Sequence, residues 1–345
     1  MESAVTFRPE FSIAGRSVGG AASCLIIAEA GVNHFGSIEK AFALVDLAVD
    51  AGADVLKLQH FKTDKLVGAQ APEWRERLRS KELSDDDILR VRDHCDRRGI
   101  IFLCTGHEPT ALDFLDRKVG VPAFKIGSGE VGNWPWIQEI ATRGKPIILS
   151  TGMYTLADIR SAISAVAAGG GSDLSILHCI TSYPTEPHDV NLSVLGQIRE
   201  FFPGPVGYSD HTTGTAVCLA AVAIGAKVIE KHITIDRNVP NAQDWKVSCD
   251  PSNFGKFVAD IREIESAAGG GVKILAQAEQ QAMLWARKSL AAAREIAVGE
   301  TLMPEMLIAQ RPGDGISPER MSEIVGRKVR VNIHSGAQIS EDMLI

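Results

Sequence analysis

Short apolar segments recur along this chain, and each is followed by a turn and then by a longer amphipathic stretch. The segments are rich in Ile, Val, Leu and Phe and lack polar alternation, which is typical of parallel strands buried on both faces. Eight strands are predicted, at residues 24–29, 54–59, 99–104, 123–128, 146–150, 174–179, 205–209 and 227–232. A chain with this many buried strands needs helices on the outside of the sheet.

Helical patterns lie between the predicted strands, at residues 37–51, 84–98, 109–118, 136–142, 156–168, 192–202 and 215–224. Repeated β/α alternation with fully buried strands favours a (β/α)8 TIM barrel over a doubly wound sheet. Residues 11–18, with Gly15 and Gly19, read as a hairpin. We expect this hairpin to cap the N-terminal end of the barrel.

The residue pattern of the sequence changes after about residue 267. There a glycine-rich stretch precedes a tail with short strand patterns and turn glycines. The tail contains two similar halves, IAVGETLMPEML and IHSGAQISEDML. A small β-rich domain of about 60 residues lies near the lower limit for independent folding. The predicted organisation is therefore a barrel domain at 1–275, a linker at 276–285 and a small domain at 286–345.

Composition excludes several classes of function. The formal net charge of −7 argues against an extended nucleic-acid surface, although a local pocket can still be basic. The six cysteines form no CxxC pair and several lie in apolar runs, which indicates reduced, buried thiols. The N-terminal residues lack the apolar core of a signal peptide, and no stretch of about 18 apolar residues occurs. We therefore expect a cytoplasmic protein without membrane or nucleic-acid partners.

Polar side chains lie at or just beyond the ends of most predicted strands. In a (β/α)8 barrel these ends form one rim, where the reaction site is built. A single lysine or histidine at such a position is usually solvated or structurally satisfied, but a joint cluster would be costly to bury without a ligand. The candidates at this rim are Glu29, Lys57, Gln59, Lys125, Ser128, Glu130, Ser150, Thr181, Tyr183, Ser209, His211 and His232.

These residue types suit a dianionic substrate and a metal. Lys57 and Lys125 supply positive charge, and the backbone amides and glycines of residues 125–130 allow close approach of an anion. With the rim hydroxyls they could hold a phosphate and a carboxylate side by side. His211 and His232 could bind one divalent cation and leave positions open for water and substrate. Two histidines alone are a weak metal signal.

Several motifs resemble the sialic acid synthase family in the same order along the chain. They are IIAEAGVNHFGSIEKAFALVDLAVDAGADVLKLQHFK, FKIGSGEVGNWPWIQEIATRGKPIILSTGM, LHCITSYPTEPHDVNL, GYSDHTTG and IEKHITID. The tail from Trp285, with RPGDGISP, resembles the antifreeze-like (SAF) domain that ends those enzymes. The resemblance covers essentially the whole chain.

The resemblance implies a role for each matching residue. Mn²⁺ or Mg²⁺ would be held by His211 and His232, and Glu29 and Glu130 match carboxylates of the reaction centre. Tyr183 matches a substrate-contacting tyrosine, and Arg311 matches an arginine that reaches the sugar in a partner's barrel, which implies a domain-swapped homodimer. The resemblance places Lys57 among both the catalytic and the substrate-binding residues. Further substrate-binding matches are Gln59, Lys125, Ser128, Ser150, Thr181, Ser209 and Asp244.

The implied activity is condensation of phosphoenolpyruvate with an N-acylated amino-sugar aldehyde, which yields a nonulosonic acid and phosphate. Two loops depart from the family pattern: residues 240–248, with Gln243 and Trp245, and residues 104–108, CTGHE. Both are expected near the tail of the sugar. The sequence therefore leaves three candidate acceptor sugars: N-acetylmannosamine, a di-N-acetylated deoxysugar of legionaminic or pseudaminic acid synthesis, and another aldose.

Two further alternatives remain. A 3-deoxy-ulosonate synthase that uses a phosphorylated aldose would need an extra basic cluster, which the sequence does not display, and it would leave the tail domain unexplained. A non-catalytic sugar-binding protein would have no reason to keep Lys57, Lys125, Glu130, His211 and His232 together.

Overall fold

The computed structural model describes residues 5–237 and 244–345. The chain divides into two compact units, Met1–Gly269 and Gly270–Ile345. The predicted linker at 276–285 overlaps a helix of the second unit, Glu279–Ala286. Within the described residues, no helix is both long and apolar enough to cross a membrane. Gln243, named above for its effect on the sugar site, lies outside the described residues.

The first unit contains a two-stranded antiparallel hairpin and eight parallel strands. The hairpin pairs β1 (Glu10–Ile13) with β2 (Arg16–Gly19). The parallel strands are β3 (Leu25–Gly31), β4 (Val55–His60), β5 (Ile101–Gly106), β6 (Phe124–Ile126), β7 (Ile147–Ser150), β8 (Leu174–Cys179), β9 (Val206–Asp210) and β10 (Val228–His232). Their order is β5-β4-β3-β10-β9-β8-β7-β6, and β5 also contacts β6, which closes the ring. The predicted (β/α)8 barrel is confirmed.

Helices follow the strands around the outside of the ring. They are α1 (Ile38–Asp50), α2 (Thr63–Leu66), α3 (Pro72–Arg79), α4 (Asp85–Arg98), α5 (Pro109–Phe114), α6 (Trp134–Ala141), α7 (Leu156–Ala168), α8 (Pro187–Val190), α9 (Val194–Arg199), α10 (Ala216–Ala223) and α11 (Phe254–Ala268). Ser37 and Ser84 cap α1 and α4, because each hydroxyl accepts a hydrogen bond from a backbone amide of the first turn.

The sequence misjudged some boundaries. Helix α11 was not predicted, although Phe254, Phe257, Val258 and Ile261 recur at helical spacing and are buried. The predicted strand at 123–128 ends at Ile126, because the backbone turns into a short 3-10 segment, Ser128–Glu130. The end of β6 is a boundary that local capping and tertiary contacts decide, whereas α11 is a whole helix that its apolar spacing already indicated.

The barrel interior is divided into an apolar floor and a polar mouth. Side chains of a strand alternate between its two faces, so one set from each strand points inward. At the N-terminal half these inward residues are apolar, and they pack with the hairpin residues Phe11, Ile13 and Val18. The hairpin therefore closes the N-terminal end of the barrel, as the sequence predicted.

The second unit is a small β structure with its own core. It contains α12 (Glu279–Ala286), a strand pair β11 (Ser289–Ala292) and β12 (Leu307–Gln310), and a short helix α13 (Met321–Ile324). The pair is antiparallel, and the core includes Leu290, Leu302 and Ile339. This matches the predicted β-rich tail.

Candidate active site

A cavity of about 130 Å³ opens at the C-terminal ends of the barrel strands. Its walls continue the inward rows of side chains above the apolar floor. Glu29, for example, follows Leu25 and Ile27 of the floor, and Glu230 follows Val228. The lining residues are Glu29, Lys57, Gln59, Thr105, Lys125, Gly127, Ser128, Gly129, Ser150, Cys179, Thr181, Tyr183, Ser209, His211, Glu230 and His232. Eleven of the fourteen site residues predicted from the sequence are in this set.

Two buried lysines and two buried carboxylates alternate across the cavity. Lys57 forms an ion pair with Glu29 and lies 3.7 Å from a carboxylate oxygen of Glu230. The Lys125 ammonium lies 3.6 Å from the same carboxylate and donates a 2.7 Å hydrogen bond to the Ser150 hydroxyl. Because all four charged groups are almost fully buried, each depends on the others for its charge.

The pKa values of the two carboxylates are shifted in opposite directions. Burial raises the pKa of Glu29 to about 7, and the charge of Lys57 offsets this only in part. Burial also opposes ionisation of Glu230, but the charges of Lys125 and Lys57 outweigh it and lower that pKa to about 2. Glu230 therefore stays ionised near neutral pH, while Glu29 can exchange a proton there.

Hydroxyl groups form the wall beside Lys125. The Ser128 hydroxyl accepts a 2.9 Å hydrogen bond from the backbone amide of Gly152. A Cβ atom on Gly152 would lie 2.2 Å from the Thr181 hydroxyl oxygen and 2.9 Å from that of Ser128. The absence of a side chain at Gly152 therefore lets these hydroxyls converge on the cavity. Such a wall can donate several hydrogen bonds to an oxyanion.

The imidazole rings of His211 and His232 lie 5.4 Å apart between centroids, with Tyr183 stacked 4.0 Å from His211. His211 donates from Nδ1 to the Ile180 carbonyl oxygen at 2.7 Å, which leaves the lone pair of Nε2 available. His232 Nδ1 is buried without a hydrogen-bond partner. Burial lowers the pKa of both rings, to about 4 for His232, so both are neutral near pH 7.

Neutral imidazoles with an unused nitrogen fit a divalent cation. In the part of the chain that the structure describes, no group of three or more His, Cys, Asp or Glu side chains has the arrangement of a complete metal site. Water or substrate could fill open coordination positions of a cation held by this pair, as at a catalytic metal.

Three predicted residues lie outside the cavity lining. Asp244 is close, with a carboxylate oxygen 4.0 Å from His232 Nδ1. Glu130 instead lines a neighbouring cavity and accepts a 2.8 Å hydrogen bond from Asn133. Arg311 belongs to the second unit, where its side chain donates to the Ala286 carbonyl and lies over the Trp285 ring. The functional roles expected for these residues stay predictions.

Five lining residues were not among the predicted site residues: Thr105, Gly127, Gly129, Cys179 and Glu230. Glu230 is the most consequential, since it binds Lys57, Lys125 and the Ser209 hydroxyl. Strand alternation could have identified it, because Glu230 lies two residues before His232 and therefore on the same face of β10. Its neighbour Lys231 points the other way and pairs with Asp210 at 2.6 Å.

Comparison with known proteins gives two family matches, the NeuB family over residues 44–273 and the SAF domain over residues 287–345. The N,N'-diacetyllegionaminic acid synthase of Legionella pneumophila is 39% identical, with 93% of this chain and 94% of that protein aligned. The human N-acetylneuraminate-9-phosphate synthase is 33% identical, with 96% and 95% aligned. Among solved structures, the N-acetylneuraminic acid synthetase of Leptospira borgpetersenii has a TM-score of 0.75 and 30% identity, covering 81% of this chain and 96% of that one.

Proposed function

This chain belongs to the NeuB family, and on that premise we propose that it is a phosphoenolpyruvate-dependent nonulosonate synthase. The proposed reaction joins phosphoenolpyruvate to an N-acylated amino-sugar aldehyde, consumes one water and releases inorganic phosphate. Relatives named as legionaminic, pseudaminic and N-acetylneuraminate-9-phosphate synthases support this reaction class.

One observation carries the proposal: two buried lysines and a wall of hydroxyls share one cavity with two neutral imidazoles. Phosphoenolpyruvate carries a carboxylate and a phosphate ester on the same carbon. Lys57 and Lys125 supply cations for both, and Ser128, Ser150 and Thr181 supply donors on the Lys125 side. Removing these charges from water strengthens their hold on the substrate.

Carbon–carbon bond formation changes the charge on both substrates, so the site must stabilise the charge that develops on each. The alkene carbon of phosphoenolpyruvate attacks the aldehyde, and positive charge develops at the carbon that bears the phosphate. Water adds to that carbon, and the tetrahedral intermediate loses phosphate by C–O cleavage. Glu29, with a pKa of about 7, can carry a proton to or from the acceptor oxygen. Ionised Glu230 favours the charged form of both lysines, although burial lowers the pKa of Lys125.

His211 and His232 are the proposed holders of a divalent metal, Mn²⁺ or Mg²⁺. When bound there, the metal supplies Lewis-acid polarisation of the aldehyde oxygen. Tyr183, which stacks on His211, is proposed to contact the substrate at this side of the mouth, together with Gln59 and Asp244. Glu130 is proposed to stabilise the positive charge that develops in the reaction.

The experiment that tests the function measures phosphate release from phosphoenolpyruvate with a panel of N-acylated aldoses and Mn²⁺. We expect release to require both substrates and to be lost in a Lys125→Met variant, because the remaining donors cannot neutralise the phosphate. Glu200→Gln, a change at the exposed residue that follows α9, is the control. Absence of release with every sugar would contradict the proposed reaction.

A further inference from the structure

The loop that follows β3 carries a buried asparagine, Asn33, which does not line the main cavity. Its side-chain nitrogen donates a 2.8 Å hydrogen bond to the Ile233 carbonyl oxygen and a 3.2 Å hydrogen bond to the Ser248 hydroxyl. These partners lie 200 and 215 residues further along the chain. Asn33 therefore connects its own loop to the end of β10 and to a loop beyond it.

The bond to Ile233 acts on the backbone that carries an active-site imidazole, because Ile233 directly follows His232. The Ile233 amide donates to the Glu29 carbonyl oxygen at 2.8 Å, and the His232 carbonyl oxygen accepts from the Cys249 amide at the same distance. Together with Asn33, these bonds fix the backbone on both sides of the His232 ring.

The bond to Ser248 extends to a short turn, residues 244–248, that carries Asp244. The Ser248 hydroxyl is buried, accepts from Asn33 and donates a 2.7 Å hydrogen bond to the Asp244 carbonyl oxygen. A hydroxyl can accept and donate at the same time. The Val247 amide also donates to the Asp244 carbonyl oxygen, at 3.2 Å. The position of Asp244 is therefore connected to Asn33 through one hydroxyl group.

The Asp244 carboxylate lies beside the imidazole pair. One of its oxygens is 4.0 Å from His232 Nδ1, which is buried without a hydrogen-bond partner. A Cβ atom on Gly31 would lie 3.3 Å from a Glu29 carboxylate oxygen, 3.5 Å from one of Asp244 and 3.6 Å from the His232 ring. The three side chains therefore converge beside Gly31. A carboxylate next to a histidine that holds a cation strengthens the binding of that cation.

The two ends of this turn are held in different ways. The chain at Cys249 pairs with the end of β10 through two backbone hydrogen bonds of 2.8 Å. The Asp244 end is connected to the loop after β3 through Ser248 and Asn33. Loss of the Asn33 amide should therefore leave the Cys249 end in place and release the end that carries the carboxylate.

We propose that Asn33 is a positioning residue for the metal site: it holds the Asp244 carboxylate beside His232 and so raises the affinity of the imidazole pair for a divalent cation. The inference rests on the proposed metal pair, His211 and His232, and adds to it a residue outside the cavity lining. The same restraint serves the substrate contact proposed above for Asp244.

The test measures Kd for Mn²⁺ by calorimetric titration of the full chain with the metal alone. Asn33→Ala should raise Kd by roughly tenfold, as is typical when an outer partner of a metal-binding histidine is lost. Ser248→Ala removes one hydroxyl of the same connection and should raise Kd by roughly threefold. Ser248→Thr keeps the hydroxyl and should retain the affinity of the unmodified protein.

Ser175→Ala is the matched control, because it removes another buried hydrogen bond from a side chain to the backbone. The Ser175 hydroxyl donates to the Pro205 carbonyl oxygen at 3.1 Å, two residues before the floor residue Leu177. The melting temperature of this variant should fall while its Kd for Mn²⁺ stays the same. If Asn33→Ala behaves in this way, Asn33 is only structural and the inference is overturned.

A double-mutant cycle tests whether Asn33 acts through Asp244. Asp244→Asn removes the charge, keeps the carbonyl that Ser248 binds, and should raise Kd by roughly tenfold. Adding Asn33→Ala should change Kd little further, because the carboxylate to be positioned is gone, whereas additive losses would overturn the inference. His232→Ala tests the premise separately. If it binds Mn²⁺ as the unmodified protein does, the metal pair is wrong and the inference falls with it.

Discussion

Three consecutive residues at the end of β10 have different surroundings although all three are buried. Glu230 and His232 point into the barrel mouth, and Lys231 points outward, where it pairs with Asp210 at 2.6 Å. Asp210 also accepts hydrogen bonds from the Tyr208 hydroxyl and the Thr212 amide. The outward pair therefore holds the ends of β9 and β10 together, while the inward residues remain available to a ligand.

Breaking that outward pair should destabilise the fold. Asp210→Asn leaves the Lys231 ammonium buried without its counter-charge, and we expect a loss of about 3–5 kcal/mol in the free energy of unfolding. Asp260→Asn removes a surface partner of Lys256 and should cost less than about 1 kcal/mol. Urea unfolding followed by circular dichroism measures both. If Asp210→Asn unfolds like the control, the pair is not what holds these strand ends.

Substitution of the inward histidines should instead reduce activity and leave the stability of the fold nearly unchanged. His211→Ala and His232→Ala are each expected to reduce kcat/KM by roughly a thousandfold or more, because a metal's stabilisation of the reacting oxygen would be lost. Their melting temperatures should stay near that of the unmodified protein, since residues at the mouth contribute little to the core. Calorimetric titration with Mn²⁺ gives a readout independent of turnover, with His188→Ala as the control. Near-normal activity in either variant would exclude the proposed metal site.

At the scale of elements, close approach of strands limits which residues the barrel accepts. Gly207 lies in β9 between β8 and β10, and a Cβ there would lie 2.2 Å from the Val228 carbonyl oxygen and 2.7 Å from the Leu177 side chain. A side chain at this position would push the strands apart. The ring therefore depends on a missing side chain as well as on apolar contacts.

Gly207→Ala should consequently destabilise the barrel by about 1–3 kcal/mol, as overpacking of a tight core does. Gly196→Ala is the matched control, because Gly196 lies in α9 and a Cβ there meets nothing within 4 Å. We expect that change to be neutral or stabilising by up to about 1 kcal/mol, since alanine favours the helix. The midpoints of thermal unfolding of the two variants test this prediction. Equal midpoints would show that the strands can relax around a methyl group.

The two similar halves of the tail also correspond to structure. Ile296 and Ile333, the first residue of each half, form an antiparallel bridge with two 2.9 Å backbone hydrogen bonds. Gly299 and Gly336 occupy equivalent positions and both have positive φ angles, of 88° and 80°. Positive φ strains residues other than glycine, which explains why each half has a glycine there. The repeat therefore builds the second unit from two matching turns.

At the scale of the whole molecule, the second unit has its own core, so its removal should leave the barrel folded. We expect a chain that ends at Gly269 to keep its barrel circular dichroism and its phosphoenolpyruvate binding. Its acceptor KM should rise by roughly tenfold or more, because Arg311 is proposed to reach the sugar in a partner's barrel. Steady-state kinetics measure the change, and sedimentation of the full chain tests the proposed homodimer. An unchanged acceptor KM would refute the closing role of the tail.

Much of this architecture could be predicted from local patterns in the sequence. The strand at 174–179 and the helix at 156–168 were predicted with the bounds that the structure has, because hydrophobic period depends on near neighbours alone. The sequence also predicted that Lys57, Lys125, His211 and His232 converge, since parallel strands bring their C-terminal ends to one rim. Helix α11 was missed although its apolar residues recur at helical spacing, and the early end of β6 was missed because it depends on local turn geometry.

The sequence by itself determined the barrel, its polar rim and the family, since each is written in short-range patterns and motifs. Only the tertiary structure decided that Glu230 pairs with both lysines, that burial raises the pKa of Glu29 to about 7, and that Glu130 lines a neighbouring cavity together with His107. The physical reason is that charge, burial and opposition across the ring are set by residues far apart in the chain. Their distances become fixed when the ring closes and the strand register is set.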